Sequence, residues 1–157
     1  MIRAVFAVGT NGEFGLAEGG MPWPHNPEDM KHFARVTKGF DLIMGHSTYK
    51  TLPFPPTKDR RFVVITRTPR MDKENIYFRS LEDVRHVLAT SKEVNAAIIG
   101  GTSLLTQDLL GLCDEIYITR IEKPFPADIH LQIPELSNFK KVTISTDPRI
   151  EKYAKLS

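Results

Sequence analysis

The sequence predicts an α/β fold: one domain over residues 1–157, with a mostly parallel central sheet of about eight strands, an antiparallel C-terminal edge and about four flanking helices. Three observations predict it. Strand-like apolar runs alternate with helical patterns along the first two thirds of the chain. Several runs, such as "DLIMG" and "AAIIGG", are continuously apolar, the mark of strands covered on both faces. The last third drops its helices and alternates strand with turn, which suits an antiparallel edge.

Taken in order, "IRAVFAV" opens the chain as a strand, followed by the glycine-rich "GTNGEFGLAEGGMPW". A helix is expected over Pro27–Lys38. Asn26 is placed to cap it, with Pro27 at the first position, where a missing N–H costs nothing. Then come the strand "DLIMG", a short helix over Ser47–Leu52, the strand "RFVVIT", a helix over Leu81–Thr90 and the strand "NAAIIGG". A last helix over Ser103–Leu110 leads into the strands "DEIYITRI", "FKKVTIST" and "RIEKYAKL".

Hydrophobic residues make up 41% of the chain and charged residues 25%, ordinary for a globular protein. A net charge of +2 is too small to argue for nucleic acid or a membrane surface. The single cysteine, Cys113, cannot form an internal disulfide and has no partners for a metal cluster, which fits a reducing compartment. The N-terminal "MIRAVFAVG" is too short an apolar run for a signal peptide, and no segment reaches membrane-spanning length. The expectation is a cytoplasmic monomer that binds neither nucleic acid, membrane nor metal.

Chemistry concentrates in "EGGMPWPHNPEDMKHF", which holds the only tryptophan, Trp23, and two adjacent carboxylates at a helix start. Met30, Phe33, Ala34 and Thr37 recur at helical spacing and form the expected buried stripe. Glu28 shares a face with Lys31, His32 and Arg35, so it reads as their solvated partner. Asp29 lies at the edge of the apolar stripe. It reads either as the acid of a capping box or as a partly desolvated carboxylate suited to proton work.

Two further units read strand, glycine, then hydroxyl residues opening a helix: Gly45 with Ser47 and Thr48, and Gly100-Gly101 with Thr102 and Ser103. Glycine allows close backbone approach, and such turns suit an anion. Neither matches the standard dinucleotide fingerprint. Thr66 and Arg67 end another strand with a hydroxyl and a guanidinium, either as a solvated strand end or as a grip on a phosphate.

Together these pieces resemble the dihydrofolate reductase family. The matching motifs are "MPW" (Met21 to Trp23), the acid six residues after Trp23, Phe33 four residues beyond it, "IMGxxTY" (Ile43 to Tyr49), "IIGG" (Ile98 to Gly101) and "IYITRI" (Ile116 to Ile121). The resemblance implies reduction of dihydrofolate to tetrahydrofolate with NADPH, in the service of one-carbon metabolism, with antifolate inhibitors as further ligands. Asp29 then matches the acid of the pterin pocket, Thr119 the threonine that supports it, and Trp23 the tryptophan that helps hold a water beside it. Met21 would close over the nicotinamide from a mobile loop. Val5 and Ile99 match backbone positions around the pterin and nicotinamide, and Met30, Phe33 and Leu52 would line the apolar slot. Arg60 matches the arginine that pairs with the carboxylate of the substrate's glutamate tail. The cofactor would lie across Ala7, Gly15, Ser47, Thr48, Thr66, Arg67 and the run Gly100, Gly101, Thr102, Ser103, Leu104 and Leu105. Its 2′-phosphate would meet Thr66 and Arg67.

Three departures from the family pattern stand out. His46 follows Gly45, where an arginine is usual, which leaves Arg67 as the main cation for the 2′-phosphate. The loop before "MPW" is one residue longer, and "LPFPPTKDRR" is longer and richer in proline than usual. Two other readings compete. A riboflavin-pathway reductase of the same fold would need no acid after "PW", and a non-catalytic nucleotide-binding module would bind cofactor without turnover.

Overall fold

The computed structural model describes residues 1–157. Its main sheet is built from β1 (Ile2–Gly9), β3 (Asp41–Gly45), β4 (Phe62–Ile65), β5 (Ile76–Arg79), β6 (Ala96–Gly100), β7 (Glu115–Ile121), β9 (Phe139–Thr146) and β10 (Arg149–Lys155). They lie in the order β5-β4-β3-β6-β1-β7-β10-β9. Every pairing from β5 to β7 is parallel, and β10 and β9 close the edge antiparallel. The short strands β2 (Glu13–Gly15) and β8 (Ile129–His130) form a separate ribbon. Strand β5, "IYFR", is four residues long and ends on an arginine, too brief to stand out as a sequence pattern.

The helices are α1 (Pro27–Thr37), α2 (His46–Thr51), α3 (Leu81–Thr90) and α4 (Gln107–Leu110). Asn26 caps α1 as expected, its side chain accepting from the amides of Glu28 and Asp29. That arrangement is worth about 1 kcal/mol. The helix expected over Ser103–Leu110 is two pieces, a 3-10 turn at Thr102–Leu104 and then α4. Thr106 breaks the run in an extended conformation and uses its hydroxyl to cap α4. Ser47, Thr48, Thr102 and Ser103 do not cap. Gly45 and Gly101 occupy the cap positions, and neither has a side chain to offer.

Two apolar cores cover the two faces of the sheet. One packs Phe6, Val8, Ile98, Leu104, Leu110 and Ile116 beneath α3 and α4. The other packs Val5, Leu42, Met44, Phe62, Val64 and Tyr117, with Phe33 of α1 and Tyr49 of α2 against it. At the antiparallel edge the fully buried Glu151 accepts from Arg120, Tyr153 and Arg149. Burial would push its carboxyl up, but those bonds outweigh burial and hold it below the usual range. No helix is long and apolar enough to cross a membrane.

The feature that positions a site is where strands part. Strand β1 pairs with β7 as far as Gly9 and Ile121, but with β6 only over Ile2–Ala4 and Ala96–Ile98. On the other side of β6 the register slips at Ile99, so that Met44 pairs with Gly100. The carboxyl ends of β1 and β6 therefore splay and open a crevice at the middle of the sheet, where open α/β folds bind ligands.

Candidate active site

The crevice is lined from the backbone outward. Val5 and Ala7 on β1 and Ile99 on β6 lie past the last β1–β6 pair, and their peptide groups edge the gap. Helix α1 crosses one side. Its Asp29 is half-buried, and the hydroxyl of Thr119 donates to Asp29 Oδ1 at 2.6 Å. Thr119 is fixed twice, because its backbone pairs with Ala7 on one side and Ile150 on the other. Only its hydroxyl is free to act. Asp29 is therefore drawn inward across the sheet, and its carboxylate does not reach back to close a capping box. A carboxylate held there by one hydroxyl keeps its second oxygen for a donor in the crevice.

The slot beside the acid is apolar. Met30, Phe33 and Leu52 are half-buried, and Phe33 stacks at a tilt on Phe54, 5.9 Å between centroids. Phe54 belongs to the proline-rich segment and extends the slot wall, a role its sequence context gave no means of finding. At the mouth, Arg60 donates from Nε to Thr37 Oγ1 at 3.1 Å and from Nη2 to the Ala34 carbonyl at 3.0 Å. Its Nη1 stays uncommitted. The adjacent Arg61 is spent on a two-pronged bond to Asp41, so Arg60 is the guanidinium that the slot can use.

Two residues of α1 lie on other faces than the helical periodicity predicts. Ala34, placed in the buried stripe, is exposed. His32, placed on the solvated face with Glu28, is only 3% exposed, and its Nε2 is buried without a partner. Helix α1 crosses β1 and β7 with the β9–β10 turn beside it, so the side carrying His32 packs on Tyr117, 5.5 Å between rings. Burial pushes the His32 imidazolium below its ordinary range, the nearby Asp29 pulls it back, and Arg35 adds to the lowering. Glu28 stays in solvent, 3.4 Å from Lys31.

Trp23 is buried, while Met21 sits 48% exposed on the loop before it. That loop is fastened at several points. Asp128 accepts from the Ala17 amide at 2.7 Å and donates its own amide to the Gly15 carbonyl at 3.0 Å. Glu13, itself buried, accepts from the amides of Asn11 and Phe125. Its own backbone amide lowers the carboxyl most, burial opposes this, and the Phe125 and Asn11 amides and His130 lower it further. At the other end Gly19 has φ +102°, and a Cβ there would lie 2.2 Å from Thr51 Cγ2.

Across the crevice lies a glycine cradle. A Cβ on Gly45 would come 3.7 Å from the Gly101 amide nitrogen, one on Gly101 3.9 Å from Thr48 Oγ1, and Gly100 has φ +131°. Bare backbone of this kind admits a pyrophosphate closely. Thr48 is half-buried at the cradle, and Ser47, Thr102 and Ser103 lie around it. Leu104 and Leu105 are not part of that surface, because their side chains are buried in the core under α4. Gly15 is buried at the start of that loop, and Thr66 and Arg67 leave β4 beside α2.

A sheet split at the carboxyl ends of its central strands, with one acid beside an apolar slot and a glycine cradle opposite, is the arrangement of an α/β protein that takes a small molecule at the carboxyl edge of its sheet. The comparisons give that class its family. The dihydrofolate reductase family model matches residues 1–155. The dihydrofolate reductase of Bacillus subtilis is 31% identical over 153 residues, covering 97% of this chain and 88% of that one. The type 3 dihydrofolate reductase of Salmonella typhimurium is 32% identical over 132 residues, covering 84% and 79%. A solved dihydrofolate reductase from Enterococcus faecalis, complexed with NADP(H) and RAB-propyl, superposes with a TM-score of 0.79 at 26% identity, covering 100% of this chain and 97% of that one. The chain belongs to the dihydrofolate reductase family, whose members are oxidoreductases of the hydride-transfer type.

Proposed function

We propose that this protein reduces 7,8-dihydrofolate to 5,6,7,8-tetrahydrofolate with NADPH, in the cytoplasm and as a monomer, and so supplies one-carbon metabolism for thymidylate and purine synthesis. The observation that carries the reading is the Asp29–Thr119 pair set beside the crevice between β1 and β6. A bound NADPH supplies the hydride. The chain's own residues do the rest.

The slot formed by Met30, Phe33, Leu52 and Phe54 takes the apolar body of the substrate, and Arg60 meets the carboxylate of its tail. The carboxylate of Asp29, steadied by Thr119, accepts from the pterin's amino and ring N–H groups and manages the proton that reaches the ring nitrogen. Trp23 walls that acid from bulk water. The loop carrying Met21 covers the crevice, fastened by Glu13 and Asp128 and resting on Thr51, and excludes water during transfer. Gly45, Gly100, Gly101 and Thr48 accommodate the cofactor's pyrophosphate. Two observations support NADPH as the cofactor: this cradle, and the related structure complexed with NADP(H).

The direct test follows the loss of NADPH absorbance with purified protein. Consumption that needs both NADPH and dihydrofolate is expected. Cofactor binding without turnover would mark a nucleotide-binding module and overturn the reading.

A further inference from the structure

The chain lacks an arginine after Gly45, yet the structure brings another guanidinium to that place. Arg70 Nη1 lies 3.0 Å from His46 Nε2, and the same guanidinium sits 4.5 Å over the ring of Phe78. A guanidinium has donors and no acceptor, so His46 accepts on Nε2 and carries its own proton on Nδ1. Gly45 and Ile65 are register partners, so His46 and Thr66 leave adjacent strands side by side.

The loop that carries Arg70 is held by more than this contact. The Thr66 hydroxyl donates to the Thr68 carbonyl at 2.9 Å and accepts from the Thr68 amide at 3.3 Å. Asp72 accepts from the Phe78 amide and from both terminal nitrogens of Arg79. Lys73 and Ile76 exchange backbone bonds at 3.0 and 3.1 Å. Two consequences follow for an anion at this corner. The Thr66 proton is already used within the turn, which makes Thr66 a builder of the loop more than a donor. Arg79 is neutralised by Asp72, whereas neither Arg67 nor Arg70 pairs with a carboxylate.

We infer that Arg70, backed by His46 and Phe78, is the specificity-determining cation for the 2′-phosphate of the cofactor. It takes in space the place that an arginine after Gly45 would take in sequence. The inference rests on the cofactor reading above, but not on the reaction. Stacking on Phe78 and the bond to His46 hold the guanidinium before the ligand arrives, so little side-chain entropy remains to be lost on binding. Arg70 and Arg67 are both exposed, but Arg67 has no such backing and contributes less.

Calorimetric binding without dihydrofolate tests this. The probes are NADPH, NADH, adenosine 2′,5′-bisphosphate and adenosine 5′-monophosphate. Arg70→Met, which keeps an unbranched stem over Phe78, should weaken NADPH and the 2′,5′-bisphosphate by roughly tenfold to a hundredfold. NADH and the 5′-monophosphate should change by less than about twofold. Arg67→Met should cost less than Arg70→Met, and Arg70→Lys should restore part of the selectivity, since charge returns without the planar fork. Equal weakening of NADPH and NADH would reduce Arg70 to a packing role and overturn the inference, as would unchanged NADPH affinity. A protein that binds NADPH selectively but does not consume it with dihydrofolate would defeat the proposed reaction and leave this inference standing.

Discussion

The hydroxyl of Thr119 donates to Asp29 Oδ1 at 2.6 Å, joining residues 90 positions apart. One comes from the first turn of α1 and the other from the middle of β7. Both sides are anchored independently, the helix start by Asn26 and the strand by pairing on both edges. The bond thus sets where the carboxylate points, and a rotating acid becomes a fixed one.

Thr119→Val removes that hydroxyl at nearly constant shape. A hydrogen bond to a charged group contributes about 1.5–3 kcal/mol. If all of it serves to orient Asp29, turnover with dihydrofolate should fall by roughly 10- to 100-fold, with NADPH affinity unchanged. Steady-state kinetics beside calorimetric binding of NADPH would check the split. A loss of cofactor affinity instead would place Thr119 elsewhere in the mechanism.

The loop before Met21 meets α2 where Gly19 lies against Thr51. Gly19→Ala adds a methyl where φ is +102° and Thr51 Cγ2 is 2.2 Å away, so the loop must lift. Global stability should change little, because the loop tip carries little of the core. Turnover should fall and the KM for NADPH should rise, each by several-fold. Adding Thr51→Ala relieves the contact but not the backbone strain, so partial rescue is expected in the double variant.

His32 predicts a pH effect on stability. Its folded-state pKa is lowered from 6.5, mainly by burial. Asp29, Glu28 and Arg35 on its own helix face it, as do Tyr117 from β7 and Asp147 from the β9–β10 turn. Because the folded value is the lower one, the unfolded chain takes up this proton first. Stability is therefore intact above about pH 6.5 and declines as pH falls from there toward the folded value. His32→Phe should flatten that decline in urea midpoints measured from about pH 5 to 8. It should also stabilise the protein at neutral pH, since an unpartnered buried nitrogen costs about 1–3 kcal/mol. An unchanged slope would rule out His32 as its source.

The parallel core was legible because buried strands read as unbroken apolar runs, as in "DLIMG" and "AAIIGG". The α1 start was legible because Asn26 and Pro27 are local signals. The motifs pointed to Asp29 and Thr119 together, but only tertiary structure shows the bond between them. What stayed hidden depends on partners distant in sequence. His32 is polar and lies one turn from a solvated Glu28, so nothing local marks it as buried; Tyr117 of β7 and the β9–β10 turn bury it. Arg70 lies in a turn-like run, and only the parallel pairing of β3 with β4 brings its loop to His46. Phe54 sits among prolines, where an apolar residue has no periodicity to betray a wall. The helix expected after Gly101 broke in two because Thr106 is a better cap than a helix interior residue.

The most direct measurement is turnover with dihydrofolate and NADPH for Asp29→Asn and Glu28→Gln across about pH 5 to 9. Asparagine keeps the shape and can still accept from Thr119, but it cannot exchange a proton. At neutral pH Asp29→Asn should lose roughly 10²–10⁴-fold in turnover. The remaining rate should climb as pH falls and solvent protonates the substrate directly. Folding stability should hold or rise, since a half-buried charge has become a neutral amide. Glu28→Gln should be close to silent, because Glu28 faces water beside Lys31. A fully active Asp29→Asn, or a crippled Glu28→Gln, would contradict the assignment of Asp29 as the group that manages the proton.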